Sequence, residues 1–260
     1  MQYTEKDVMH PVLINIGPLT IHSYGFFIAA AFLLGMWITM REAPRYGLNR
    51  HFVPDLAFYL IVSALVGSRI LYVLLDPKPF LADPLLIFQF WKGGLVFVGG
   101  VVAAVATAWV VIRIKQEPFW KWADAFAPGI AGGQFLGRIG CFMAGCCYGK
   151  PTGLPWAVTF SHPQSLAPLH IPLHPTQIYH SLAGLITCIV LLLLRSRLPG
   201  PGQRFGLFLI LFSFFRFSIE FFRGDFRGTF GPFSLTQAVA ALIFCLGLAL
   251  FYAKGRIRHA

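Results

Sequence analysis

Charged residues are scarce in this sequence. Asp, Glu, Lys and Arg make up 12% of the 260 residues, whereas hydrophobic residues make up 57%. Soluble domains carry roughly 25% charged residues, so a deficit spread along the whole chain indicates that lipid surrounds most of the protein. No polar stretch is long enough to fold separately, which predicts a single transmembrane domain over 1–260.

Two other features are missing. The N-terminal stretch has no basic segment followed by an apolar core and a cleavage site, so we expect no cleaved signal peptide. There is no internal repeat of the apolar segments, although many transporters are built from repeated halves. The formal net charge is +11, but the basic residues stand in short clusters between apolar segments. That placement excludes nucleic acid as a partner and favours anionic membrane lipids.

Seven apolar segments are long enough to cross a bilayer, which takes about 20 helical residues. They are 21–40, 53–75, 93–114, 119–140, 175–194, 205–222 and 232–253. The sequence therefore predicts an all-α, polytopic integral membrane protein with about seven transmembrane helices. The fourth segment is rich in glycine, so we expect its backbone to approach its neighbours closely.

Basic residues concentrate in the loops on one side of these segments. Twelve of the 21 Lys and Arg residues fall there: Arg41, Arg45, Arg50, Arg113, Lys115, Lys121, Arg195, Arg197, Arg204, Lys254, Arg256 and Arg258. Cytoplasmic loops of membrane proteins are enriched in Lys and Arg, so this side is predicted to be cytoplasmic. The N-terminus and the segment at about 141–174 then face outward.

Charged side chains also occur in or beside the predicted spans, where they are costly and mark function by default. They are Arg69, Arg138, Arg216, Glu220 and Arg223. The i, i+4 spacing places Arg216 and Glu220 on one helix face. Four arginines with one carboxylate leave positive charge uncompensated, and the planar fork of Arg suits phosphate. We therefore expect a phospholipid headgroup as ligand; an ion pair that ties helices together is the alternative.

Three of the five cysteines lie close together in the sequence, at Cys141, Cys146 and Cys147. There is no Cys-x-x-Cys pair, and the usual spacings of structural zinc sites are absent, so we expect no metal. The favoured interpretation is small-residue packing beside a glycine-rich helix end, with a disulfide or a metal site as alternatives. Cys188 and Cys245 lie in apolar segments and are interpreted as inert packing residues.

Five stretches carry a resemblance to a known family. They are Tyr24-Gly25, 93–100, 137–149 (Gly-Arg-Ile-Gly-Cys-Phe-Met-Ala-Gly-Cys-Cys-Tyr-Gly), 174–179 (His-Pro-Thr-Gln-Ile-Tyr) and 216–223 (Arg-Phe-Ser-Ile-Glu-Phe-Phe-Arg). In these stretches, which spread over nearly the whole chain, the sequence resembles the prolipoprotein diacylglyceryl transferases of bacterial inner membranes.

The resemblance implies an activity and a location. The diacylglyceryl group of phosphatidylglycerol would pass to the lipobox cysteine in the signal peptide of a prolipoprotein, giving a thioether and glycerol phosphate. No metal or organic cofactor is implied. The protein would cross the inner membrane several times, with its N-terminus in the periplasm and its C-terminus in the cytoplasm. The main alternative is a transporter or flippase for an anionic lipid or solute that uses the same arginines; the second is a lipid-binding scaffold.

The resemblance also implies roles for individual residues. Catalytic roles are expected of Arg138, Arg216 and Glu220, with Glu220 holding Arg216 rather than abstracting a proton. Substrate binding is expected of residues in the matched stretches and of one further charge in the predicted spans: Tyr24, Gly149, His174, Gln177 and Arg223, and Arg69.

Three positions depart from the family pattern. Val98 stands where some members have a histidine that is proposed as catalytic, Cys141 where an asparagine often stands, and His180 where a glutamate is usual. These departures leave the acceptor of the thiol proton open. His174 and His22 are the candidate bases; a positive field that lowers the thiol pKa would make a base dispensable.

Overall fold

A computed structural model of the protein describes residues 11–16, 19–90, 93–225, 228–230 and 233–256. Within these ranges the chain forms eight α-helices and three two-stranded antiparallel hairpins. The helices are α1 (Ser23–Glu42), α2 (Phe52–Leu75), α3 (Lys78–Ala82), α4 (Phe97–Ile114), α5 (Phe119–Ala144), α6 (Thr176–Leu193), α7 (Gln203–Glu220) and α8 (Leu235–Arg256). The strand pairs are β1 (Val12–Ile16) with β2 (Leu19–His22), β3 (Val158–Thr159) with β4 (Pro172–Leu173), and β5 (Thr229–Phe230) with β6 (Phe233–Ser234). The predicted all-α class is confirmed.

Each of the seven predicted segments is a long helix. The largest differences are at α4, which begins at Phe97 rather than 93, and at α5, which ends at Ala144 rather than 140. Among the described residues, five helices are apolar and long enough to cross a membrane: α1, α2, α4, α6 and α8. The other two long helices, α5 and α7, carry the charges of the predicted site.

The surface of the helices is apolar. Large side chains such as Leu33, Phe58, Val102 and Leu242 are more than half exposed. A soluble monomer rarely exposes contiguous apolar surface on this scale, whereas lipid accepts it without penalty. Both the apolar composition of the sequence and this apolar surface indicate that lipid surrounds the helices. The chain is a multi-pass membrane protein.

The described chain divides into two compact units. The first takes in the chain up to Glu42 and from Ala123 onward, and the second is Ala43–Trp122. The single transmembrane domain stays a prediction. The second unit is built on α2 and α4, which run antiparallel with their backbones in close approach. A side chain at Gly67 would strike the backbone of Gly99.

In the first unit, α1 packs against α5 through glycines. A Cβ at Gly129 would strike Gly35 and the Thr39 hydroxyl, and a Cβ at Gly140 would press on Phe27. The close backbone approach predicted for the glycine-rich segment is thereby confirmed. The apolar core of this unit lies between α1, α5, α6 and α7 and is formed by Ile38, Ala127, Ala131, Cys188, Leu191 and Phe208.

One basic residue of the predicted loops is buried. Arg204 is completely buried; its Nη1 lies 2.7 Å from Glu42 Oε2, and its Nε donates to the Leu191 carbonyl at 3.0 Å. The sequence analysis counted this arginine among the basic loop residues, whereas the structure places it in the first turn of α7. Arg258, another member of the basic set, lies outside the described residues.

The same end of the first unit holds a second buried acid. Asp124 accepts hydrogen bonds from the backbone N–H groups of Gly202 and Phe205, each at 2.7 Å. These groups begin α7, where unpaired N–H groups point along the helix axis. Asp124 therefore caps α7 from a neighbouring helix and fixes the position of that helix relative to α5.

Candidate functional site

Three chain segments meet at the other end of the first unit. They are the end of α5 with the loop after it, the start of α6, and the residues that follow α7. Backbone hydrogen bonds join them: Gly149 N–H to His174 O at 3.1 Å, Lys150 N–H to Phe222 O at 2.8 Å, and Gly224 N–H to Tyr148 O at 3.2 Å. Most of the residues predicted from the sequence lie on this frame.

Gly149 is at the centre of the frame. A Cβ there would clash with the backbone carbonyls of His174 and Phe222, so a larger residue fits only if one of these two backbone segments moves. The close approach of these backbone segments explains why position 149 holds a glycine. The expected contact between Gly149 and a substrate stays a prediction.

Arg216 and Glu220 form the ion pair that their spacing predicted. Arg216 Nη1 lies 2.6 Å from Glu220 Oε2, and both side chains are nearly buried. The second oxygen of Glu220 accepts a hydrogen bond from the Ser234 hydroxyl at 3.1 Å. Since both carboxylate oxygens already hold donors, the geometry suits Glu220 to holding Arg216 in place.

His180 is the second partner of Arg216. Its Nε2 lies 3.3 Å from Arg216 Nη1. A guanidinium group only donates hydrogen bonds, so Nε2 accepts and the ring proton is on Nδ1, which makes the buried imidazole neutral. Arg138 and Arg223 are also close enough to act on this ring electrostatically. Of the four predicted arginines, one contacts His180 and two more lie within electrostatic range of it.

Arg138 differs from the other two arginines. It lies one and a half turns from the end of α5, is partly buried, and makes no hydrogen bond or ion pair with any described residue. It acts electrostatically on Tyr24 and on Cys141. A partly buried guanidinium group without a protein counter-ion is suited to bind an anion.

Arg223 has an acidic partner that the sequence analysis missed. Its Nε and Nη2 donate to the two carboxylate oxygens of Asp225 at 2.8 and 2.7 Å. Burial is the largest single effect and lowers the pKa of Arg223, but Asp225 and Cys147 together raise it, so the net direction is upward. Its Nη1 is buried and has no hydrogen-bond partner among the described residues.

These contacts change the expected charge balance. The sequence suggested four arginines and one carboxylate, whereas the structure groups three arginines with two carboxylates, Glu220 and Asp225. One positive charge is still in excess. Spacing alone would have suggested Asp225, since it stands two residues after Arg223.

Arg69 belongs to the second unit and has local partners. Its guanidinium group donates to the backbone carbonyls of Ile87, Gly93, Gly94 and Leu86. Four of its five N–H groups are thus used to hold the loop before α4. These backbone contacts explain the position of this partly buried cation without a ligand, and substrate binding by Arg69 stays a prediction.

The other predicted binding residues line the frame. Gln177 donates through Nε2 to the Cys146 carbonyl at 2.8 Å, and its buried Oε1 has no partner within the described ranges. His174 Nδ1 lies 3.2 Å from the Tyr179 hydroxyl, which accepts a hydrogen bond from Trp156. Tyr24, at the start of α1, is about half exposed. Neither Trp156 nor Tyr179 was singled out by the sequence.

The three cysteines after Arg138 lie together. The Sγ atoms of Cys141, Cys146 and Cys147 are all within 4.8 Å of one another, and the three residues are partly buried. Hydrogen bonds with Cys141 and Cys146 hold the pKa of the Cys147 thiol below its ordinary value, and the charge of Arg223 acts in the same direction. Small-residue packing beside the glycine-rich helix end stays the predicted role of these residues.

Comparison of the chain with known proteins identifies its family. The family described as prolipoprotein diacylglyceryl transferase matches residues 11–253. A phosphatidylglycerol–prolipoprotein diacylglyceryl transferase of Clostridium tetani is 32% identical over 243 residues, which cover 94% of this chain and 97% of the relative. Proteins of that name from Trichormus variabilis and Aeromonas hydrophila are 34% identical over 248 residues and 37% identical over 220 residues. These alignments cover 92% and 82% of this chain and 87% and 77% of the two relatives. The chain therefore belongs to the prolipoprotein diacylglyceryl transferase family.

Proposed function

We propose that this protein transfers the diacylglyceryl group of phosphatidylglycerol to the lipobox cysteine thiol in the signal peptide of a prolipoprotein. The names of the relatives specify both substrates, and family membership supports the same reaction here. The observation that carries the proposal is an excess of positive charge: Arg216 and Arg223 each pair with a carboxylate, and Arg138, which acts on the same His180, has none. A lipid phosphate is the anion that would neutralise this excess.

Arg138 is the proposed phosphate ligand. It has no partner among the described residues, and its planar fork can bind two phosphate oxygens at once. Negative charge grows on the leaving phosphate as the carbon–oxygen bond breaks. A preorganised cation at that position stabilises the transition state more than the bound lipid, which raises the rate.

Arg216 adds a second positive charge, and Glu220 is a positioning residue for it. The carboxylate of Glu220 is shared between Arg216 and Ser234, so it holds the guanidinium group in one orientation. Arg223, held by Asp225, keeps its buried Nη1 available for a further acceptor. Tyr24, Gly149, His174 and Gln177 are proposed to shape the space for the two substrates.

The chemical step is a substitution at carbon. The substrate thiolate attacks the glycerol carbon that carries the phosphate, a sulfur–carbon bond forms, and the carbon–oxygen bond breaks. Its electron pair leaves with glycerol phosphate, and the thiol proton passes to solvent. The arginine field lowers the pKa of the thiol, so thiolate is present without a dedicated base.

The protein is proposed to lie in the bacterial inner membrane with this site at the periplasmic face. The basic loops support a cytoplasmic C-terminus. Both the headgroup of phosphatidylglycerol and a signal-peptide cysteine reach the membrane surface on the periplasmic side, where the loop at 141–174 would meet them.

A transfer assay tests the proposal. Purified full-length protein is mixed with phosphatidylglycerol in detergent micelles and with a synthetic lipobox peptide. We expect the peptide to gain the mass of one diacylglyceryl group while an equal amount of glycerol phosphate is released. The same peptide with Ser in place of the lipobox Cys is the control and should stay unmodified.

The transporter alternative predicts another result. In that case folded protein in vesicles would move phosphatidylglycerol between leaflets and leave the Cys peptide unmodified. This outcome would overturn the transferase proposal.

A further inference from the structure

The carboxylate of Glu220 connects Arg216 to a different helix. Its Oε2 atom lies 2.6 Å from Arg216 Nη1, and its Oε1 atom accepts a hydrogen bond from the Ser234 hydroxyl at 3.1 Å. Ser234 lies 14 residues after Glu220 and directly precedes α8. The arginine on α7 is therefore joined to the start of α8 through a single carboxylate.

Ser234 is the N-cap residue of α8. Its hydroxyl oxygen accepts from the Gln237 N–H at 3.1 Å, and its own N–H donates to Gln237 Oε1 at 3.0 Å. This reciprocal pair is a capping box, which satisfies backbone N–H groups at the start of a helix. A hydroxyl group has one proton and two lone pairs, so Ser234 accepts from Gln237 and donates to Glu220 at the same time.

The start of α8 also favours a negative charge. The first N–H groups of a helix lack partners within the helix, and they give this end a partial positive charge. The Glu220 carboxylate contacts the N-cap hydroxyl and so lies beside the positive end of α8. Both oxygens of this buried carboxylate thus face positive groups, the guanidinium group of Arg216 on one side and the helix end on the other.

The start of α8 is itself fixed against α7. The ring of Phe233, just before the N-cap, has its centroid 6.0 Å from that of Phe217, the residue after Arg216. Farther along, a Cβ at Gly247 would lie 3.0 Å from the backbone nitrogen of Ile210, so the two helices approach closely. These contacts set the position of the Ser234 hydroxyl independently of Glu220.

We propose that Ser234 and Gln237 are positioning residues for the transfer reaction, and that they hold the guanidinium group of Arg216 in place through Glu220. The terminal torsion of a glutamate side chain is soft, so a carboxylate with one partner can turn. A donor at each oxygen removes that freedom and fixes the direction in which Arg216 points. A small misplacement of a catalytic group costs rate, so this support should matter for turnover. The inference rests on the proposed function, in which Arg216 acts on the lipid phosphate.

The alternative is that Ser234 only caps α8. Glycine separates the two roles, because at an N-cap it is only slightly less favourable than serine, yet it has no hydroxyl group to hold Glu220. Threonine keeps the hydroxyl group and is the conservative variant.

Transfer from phosphatidylglycerol to the lipobox peptide is measured per folded molecule of full-length protein. Ser234→Gly should lower kcat about five- to tenfold with the KM for the peptide unchanged, and Ser234→Thr should keep most of the wild-type rate. Gln237→Ala should lower kcat by about two- to threefold, because the hydroxyl stays but is held less firmly. Ser218→Ala is the matched control. Its hydroxyl donates to the Phe214 carbonyl within α7 at 2.9 Å, and its removal should leave the rate unchanged.

A double-variant cycle tests whether Ser234 acts through Glu220. In a Glu220→Ala background, Ser234→Gly should change kcat less than about twofold, since no carboxylate remains to be held. An equal loss in both backgrounds would overturn the positioning role. So would a wild-type kcat in folded Ser234→Gly protein, even if that protein were less stable, because Ser234 would then be a cap alone.

Binding of phosphatidylglycerol, measured by titration calorimetry in detergent micelles, separates this inference from the proposed function. If the wild type binds the lipid but modifies no peptide, the proposed function is wrong. Ser234→Gly should then still bind the lipid about threefold more weakly than Ser218→Ala does, and equal affinities would overturn the positioning role as well. If the wild type and Ser234→Gly transfer equally well, the proposed function stands and the positioning role is wrong.

Discussion

Glu42 and Arg204 are 162 positions apart in the sequence and form a buried ion pair of 2.7 Å. The pair joins the end of α1 to the start of α7, at the end of the first unit opposite the arginine site. Arg195 also approaches Glu42, at 3.8 Å, but its side chain is 44% exposed. The pair therefore serves the fold rather than the reaction.

We expect Arg204→Met to lower the free energy of unfolding by about 3–5 kcal/mol, because Glu42 would stay buried without its main partner. The double variant Glu42→Leu with Arg204→Met should recover most of the loss, since no buried charge then remains. Equilibrium unfolding in detergent measures both. Arg195→Ala is the control, with an expected change below about 1 kcal/mol. A double variant as unstable as the single one would contradict this account.

Arg138→Ala should lower turnover by about 10²–10³ with expression and thermal stability kept, because the group has no protein partner to lose. Arg138→Lys should also lose most activity, since an ammonium group lacks the planar fork. Turnover per folded molecule is the measurement, and Arg197→Ala, in an exposed basic loop, is the control. Normal turnover in folded Arg138→Ala protein would rule out the phosphate role.

Glu220→Gln should reduce both stability and activity. The amide can still accept from Ser234, but Arg216 loses its counter-charge, at a cost of about 1.5–3 kcal/mol. Since Glu220 acts through Arg216, the loss should appear in kcat with little change in KM for the peptide. The control is Ser234→Ala, which removes only the weaker contact and should have a smaller effect. If a pH–rate profile of Glu220→Gln lost an ionisation that the wild type shows, Glu220 would be a base instead.

Val98→His should change activity by less than about tenfold in either direction, because a positive field that lowers the pKa of the substrate thiol makes an added base unnecessary. Val98 is 60% exposed at the start of α4. Single-turnover rates across a pH series are the test. A gain well beyond tenfold would restore a histidine to the role of proton acceptor.

Topology follows from the basic loops. A reporter fused after Ala260 should be cytoplasmic, and one inserted in an exposed turn of the 141–174 segment should be periplasmic. Cysteine-accessibility labelling at Arg197→Cys gives a check that needs no fusion. A periplasmic C-terminus would contradict the orientation and the number of spans together.

The seven long helices could be predicted from the sequence because each depends on a local run of apolar residues, whereas the short α3 in the loop after α2 was not predicted. The pairing of Arg216 with Glu220 could also be predicted, because residues four positions apart lie on the same face of a helix. Pairs of residues that are far apart in the sequence could not be predicted. Nothing local connects Glu42 with Arg204, or Asp124 with the start of α7, and neither pair follows a spacing rule.

The grouping of Cys141, Cys146 and Cys147 shows where spacing is uninformative. Their thiols meet because a positive φ at Gly145 and at Cys147 folds the chain back on itself, and no rule of sequence spacing describes that turn. Arg69 shows the converse. Its place among the intramembrane charges suggested a ligand, but backbone carbonyls 17 to 25 residues away take up its donors.

The backbone frame around Gly149 has a consequence for the timing of catalysis. Its three backbone hydrogen bonds tie the segments of the site to one another, so little conformational entropy should be lost when substrates arrive. Amide protons of Gly149, Lys150 and Gly224 should therefore exchange with deuterated water slowly in the resting protein and hardly more slowly with phosphatidylglycerol bound. The slow step of the catalytic cycle would then be the movement of the long lipid and peptide chains. Their diffusion through the bilayer would limit turnover at low temperature.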